Sequence, residues 1–76
     1  MAKLTKLKDL KNNKCVISNI QNMQEEKHKR LLELGFIKGT RVEIIKRTKD
    51  TLLIGIRGYV IALDKDVAGC IFVWED

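Results

Sequence analysis

The chain has no proline, only one tryptophan, one tyrosine and two phenylalanines, and two cysteines in 76 residues. Each scarcity excludes something. A proline-free chain that is 45% hydrophobic, with several clean apolar runs, is not a disordered segment. Two cysteines, Cys15 and Cys70, make no disulfide framework of the kind that staples small secreted domains. The longest apolar run, Val67 to Trp74, is far shorter than the ~20 residues that span a bilayer. The opening Met1-Ala2-Lys3-Leu4-Thr5-Lys6 has no apolar stretch of the kind a signal peptide needs. A cytoplasmic protein with reduced thiols is expected, held at a membrane, if at all, through a partner. The few aromatics also argue against a single-strand RNA reader, which stacks bases on aromatic side chains.

No catalytic set is visible either. Gly35 and Gly39 are not followed by the lysine and serine/threonine that a phosphate-binding loop places after its second glycine. They read instead as a helix stop and a turn. Cys15, His28 and Cys70 are scattered, without metal-ligand spacing. The cysteines are expected as small core residues, and His28, between Lys27 and Lys29, as a solvated one. No metal, no cofactor and no enzymatic activity are expected.

What the chain does have is positive charge and alternating apolar residues. Lys and Arg number 15 against 10 Asp and Glu, a net +5. The excess lies in residues 1–14 and 38–58, each summing to +4, while residues 59–76 sum to −3. Such a balance favours an acidic protein surface, an anionic membrane face or nucleic acid as a partner. A chain of this size buries about 60% of its unfolded surface, so one thin core and a single domain over 1–76 are expected.

Leu4, Leu7 and Leu10, spaced by three, predict a short helical turn, ended by Asn12-Asn13. Cys15 to Ile20 reads as a strand in which Ile20 breaks the alternation of Cys15 and Ile17. Residues 22–36 read as a helix, with Asn22 and Glu25 at capping-box spacing and Leu31, Leu32 and Leu34 as its buried face. Gly35 is the expected left-handed stop, with Phe36 and Leu31 as the apolar pair of a Schellman ending. Gly39 fits the third position of a type II turn. Arg41 to Arg47, Leu52 to Ile56, Tyr59 to Leu63 and Ile71 to Trp74 read as further strands, with Gly55 and Gly58 marking a bulge or bend. Five short strands and one helix lack the crossovers a parallel sheet needs. The expected fold is therefore mainly β: a small SH3-like antiparallel β-barrel capped by a helix.

The run Arg30-Leu31-Leu32-Glu33-Leu34-Gly35-Phe36-Ile37-Lys38-Gly39-Thr40-Arg41-Val42-Glu43-Ile44 resembles the FeoA family of small cytosolic accessory proteins of bacterial ferrous-iron transport. Ile56-Arg57-Gly58-Tyr59-Val60-Ile61-Ala62-Leu63 is similar to the family's Arg-Gly hairpin, and Ala68 to Val73 to its closing strand. The opening Leu7-Lys8-Asp9-Leu10 and the strand near Ile17 also fit. The resemblance implies an SH3-like barrel and a partner, a FeoB-type membrane transporter with a cytosolic G-protein domain. It further implies docking on the cytosolic part of that transporter and its regulation, and it raises a GTPase-activating role as a hypothesis. The fold also resembles the C-terminal interaction domain of iron-dependent repressors. Lys38 stands where the family usually has proline, the connection at Lys49-Asp50 is short, and Trp74 has no counterpart in the pattern.

The partner-binding surface is expected at Leu34, Gly35, Ile37, Lys38, Gly39, Arg41, Arg57, Gly58 and Tyr59. Of the apolar residues at the helix stop, Phe36 is expected inside and Ile37 exposed. Arg57, at a hairpin bend, is placed to reach a partner, and an arginine supplied in trans can speed GTP hydrolysis. A backbone or carboxylate contact of Arg57 within the bend is the preferred reading. Lys38, Arg41, Arg47 and Arg57 would steer the chain toward an acidic partner surface or toward anionic lipid nearby. The alternative is a basic SH3-like module that binds nucleic acid.

Overall fold

The computed structural model describes residues 3–75. In chain order the elements are β1 (Leu4–Lys6), a 3-10 turn (Leu7–Asp9), β2 (Lys14–Ile20), α1 (Glu25–Leu34), β3 (Arg41–Arg47), β4 (Thr51–Ile56), β5 (Tyr59–Asp64), the one-turn helix α2 (Lys65–Ala68) and β6 (Ile71–Glu75). The strands form one six-stranded sheet in the order β1-β6-β2-β3-β4-β5, with every pair antiparallel. The fold is mainly β and SH3-like, as expected. Among the described residues, however, β1 and β5 do not join, so the curled sheet stays open along one seam.

The curl comes from two bulges. One lies in β2 between Ile17 and Asn19, the other in β3 between Ile44 and Lys46. A bulge adds one residue to one strand, bends it and increases its twist. The β2 bulge also explains the break in alternation: Cys15 and Ile17 point inward before it, and Ile20, paired with Ile71, packs partly buried against the core after it. The concave side closes over Leu7, Cys15, Ile17, Phe36, Leu52, Ile54, Ile56, Ile71 and Val73, all essentially inaccessible. No polar or charged residue is buried among the described residues.

Four expectations need correction. Leu4 is not part of a helical turn; it pairs with Trp74 in a sixth strand, and only Leu7 and Leu10 enter the core. Its i+3 spacing to Leu7 is accidental, because β1 changes to a 3-10 turn between the two. The helix starts at Glu25 with Gln24 as its N-cap, and no side chain caps it. Asn22 instead takes a left-handed conformation, φ 56°, one that asparagine tolerates better than most residues. Of the three leucines, only Leu31 is buried (6% exposed), while Leu32 and Leu34 are 43% and 39% exposed. The helix touches the core along one edge, and successive residues lie 100° apart around its axis. Finally, His28 and Cys70 are half-buried, not solvated and core respectively, and Phe36 is the one fully buried aromatic among the described residues.

Candidate functional site: a helix end, a hairpin and a cationic groove

Gly35 ends α1 with φ 110° and ψ 7°. The Gly35 N–H donates to the Leu32 carbonyl at 3.1 Å, and the Phe36 N–H donates to the Leu31 carbonyl at 2.9 Å. These are the two bonds of a Schellman motif, and Leu31 and Phe36 meet in the core as its apolar pair. The chain then turns at once. The Thr40 N–H donates to the Ile37 carbonyl at 3.1 Å across Lys38-Gly39, with Gly39 at φ 92°. That is the type II geometry that calls for glycine. Two bonds fix this turn to β2: Gly39 N–H to the Ile17 carbonyl and Ile17 N–H to the Thr40 carbonyl, both 2.8 Å. Leu34, Ile37 and Lys38 are thus held on a rigid, exposed corner.

The second piece is the β4–β5 hairpin. Ile56 pairs with Tyr59, leaving Arg57 and Gly58 as a two-residue loop with φ 51° and 83°. Two successive left-handed residues are the mark of a type I′ turn, whose twist matches that of the flanking strands. Arginine in that conformation costs about 1–2 kcal/mol relative to a right-handed one. The Arg57 side chain folds back over Gly35, where a β-carbon would lie 2.9 Å from its Cδ, 3.0 Å from its Nε and 3.4 Å from its Cζ. Gly35 is buried beneath it.

Beyond Arg57 the outer face of the sheet forms a groove of ≈ 570 Å³ across β2 to β5. Lys14, Arg41 and Arg57 contribute its cations and Glu43 its one carboxylate; Ile45, Tyr59 and Val60 give it apolar surface. Ile45 is the residue added by the β3 bulge, and its side chain overlies Gly55, where a β-carbon would sit 3.1 Å from Ile45 Cδ1.

Of the nine residues expected at the partner surface, the fold brings Gly35 and Arg57 into contact and places Arg41, Arg57, Gly58 and Tyr59 around the groove. Leu34, Ile37, Lys38 and Gly39 form the separate corner at the helix end, joined to the groove through the Arg57–Gly35 contact. Lys14, Glu43, Ile45 and Val60 were not anticipated. The doubled Ile44-Ile45 was the available signal, since one of two adjacent residues in a strand must face outward. Among the described residues no three His, Cys, Asp or Glu side chains come together to hold a metal ion, and no helix is long and apolar enough to cross a membrane.

No curated protein matches the chain. Several solved structures do. The iron(II) transport protein A from Clostridium thermocellum is 27% identical, with a TM-score of 0.81 over 93% of this chain and 45% of that one. The zinc complex of Stenotrophomonas maltophilia FeoA, described as a procaryotic SH3 domain protein and proposed as a ferrous iron transport activating factor, is 25% identical, with a TM-score of 0.76 over 96% of this chain and 88% of that one. IdeR of T. acidophilum is 26% identical, with a TM-score of 0.82, but this chain spans only 34% of it. The FeoA domain model matches residues 5–74, and the chain belongs to the FeoA family.

Proposed function

We propose that this chain is a non-enzymatic accessory protein of bacterial ferrous-iron transport. It docks from the cytoplasm on the cytosolic part of a FeoB-type transporter and regulates it, reaching the inner face of the membrane only through that partner. Family membership supports the transport role. The observation that carries docking is the junction of the exposed Leu34–Ile37–Lys38 corner with the cationic groove through Arg57 and Gly35. Apolar area beside positive charge suits an acidic protein surface, with the charges governing approach and the apolar residues retention.

The test is an amide NMR titration of labelled protein with the soluble G domain of the transporter of the same organism, with and without a GTP analogue. Shifts concentrated in residues 34–41 and 55–60 support the reading, and an unperturbed spectrum rejects docking on that domain. Ile37→Glu should weaken binding with the fold intact; normal binding would remove the corner as a contact. If Arg57 acts on GTP hydrolysis, Arg57→Ala abolishes any stimulation of the G domain.

Nucleic-acid binding is the rival, favoured by the net charge of +5. Tyr59 is the one aromatic lining the groove, a poor stacking platform. Absence of a gel shift at low salt would end that reading.

A further inference from the structure

β5 ends the sheet, and among the described residues β4 is its one strand partner. Its sequence, Tyr59-Val60-Ile61-Ala62-Leu63-Asp64, has no charge before Asp64 and no proline, and its pairing with β4 has no bulge. Tyr59 and Val60 are 68% and 63% exposed. Proteins normally blunt a sheet edge with charge, proline, a bulge or a short strand. The opposite edge follows that rule: β1 has three residues and ends in Lys6. Bonds alternate along an antiparallel strand, and the hairpin closes on the Ile56–Tyr59 pair. The N–H and C=O groups of Val60 and Ala62 therefore point off the sheet.

The two ends of this edge carry opposite charge. Lys14, Arg41 and Arg57 share the groove with Tyr59 and Val60, with Glu43 as the one acid there. At the other end, Asp64 clusters with Asp50 and Asp66 around Lys65. An edge that is apolar in the middle, cationic at its start and acidic at its finish is complementary to itself when reversed.

We propose that β5 pairs antiparallel with β5 of a second copy of this chain, about a two-fold axis at Ile61. Val60 then lies opposite the copy's Ala62, and each acidic end meets the copy's cationic end. The contact is isologous, so each such pairing satisfies both edges at once and closes without forming a fibre. It forms against the mutual repulsion of two chains at +5, so it is a weak association. It rests on the edge alone and stands whether or not the transporter reading holds.

Sedimentation equilibrium of the full chain at physiological salt, from low micromolar to millimolar concentration, tests it. The weight-average mass should rise from the monomer's 8.8 kDa toward twice that value. Over the same range the Val60 and Ala62 amides should become protected from hydrogen exchange. Asp64→Lys and Ala62→Pro, each checked for unchanged folding by circular dichroism, should shift the association to higher concentration by tenfold or more, the first through charge and the second through the missing donor. A monomer at every concentration overturns the proposal. So does a dimer in which Val60 and Ala62 exchange as in the monomer, or one that folded Asp64→Lys protein forms equally well.

Discussion

The Arg57 side chain lies directly on the backbone of Gly35, so a β-carbon at Gly35 would sit 2.9 Å from Arg57 Cδ. Two elements remote in sequence, the end of α1 and the β4–β5 turn, are matched at this point. Gly39 provides a control: its φ of 92° is also left-handed, but nothing lies within 4 Å of where its β-carbon would be. Both glycines should lose about 1–2 kcal/mol on substitution by alanine, from backbone conformation alone. Gly35→Ala should lose roughly 0.5–1 kcal/mol more, and that excess should vanish in an Arg57→Ala background, as coupled neighbours require. Urea denaturation of the single and double variants measures it.

The exposures of α1 predict an asymmetry between adjacent residues. Leu31→Ala removes a buried side chain and should cost about 2–5 kcal/mol. Leu32→Ala, at a largely exposed position, should change stability by less than about 0.5 kcal/mol. Equal losses for the two in chemical denaturation would contradict the orientation of the helix.

Phe36 is the largest fully buried side chain and secures the helix end to the core. Its replacement by alanine should cost about 3–5 kcal/mol. The total stability expected for a domain of this length is about 4–11 kcal/mol. Phe36→Ala should therefore melt at least ~12 °C below the parent chain, or fail to fold. A small shift in a thermal melt followed by circular dichroism would show that the site collapses around the missing ring.

Docking through the groove predicts a charge signature. Arg41→Glu should slow association with an acidic partner and leave thermal stability almost unchanged, because Arg41 is exposed. Raising ionic strength should slow the parent chain and have less effect on the variant. Stopped-flow or surface-capture kinetics at two salt concentrations separate the two effects.

The parts legible in the sequence are those governed by neighbouring residues. Gly35 and Gly39 were readable because a Schellman ending and a type II turn each call for glycine at a fixed offset, and Leu31 and Phe36 were readable as the pair that accompanies the first. The break at Ile20 was visible as a loss of alternation, but its cause, an extra residue at Ser18, follows only from the pairing with β6. Asn22 has the composition of a cap and serves as a left-handed turn residue, two roles that local sequence does not separate. The groove was partly hidden because its residues come from four strands, and no local pattern records that Lys14, Glu43 and Val60 will share a face. The contact of Arg57 with Gly35 is hidden for the same reason.

The strand order has a consequence for synthesis. β6 lies between β1 and β2, so the sixth strand in chain order occupies an interior position of the sheet. Until residues 71–75 have left the ribosome, β1 has no partner and one side of β2 stands open. Translation proceeds at about 5–20 residues per second, so β1 waits for seconds without its partner, while β2, β3, β4 and β5 have one another to pair with. β6 then enters between two earlier strands and joins β1 to the rest of the sheet.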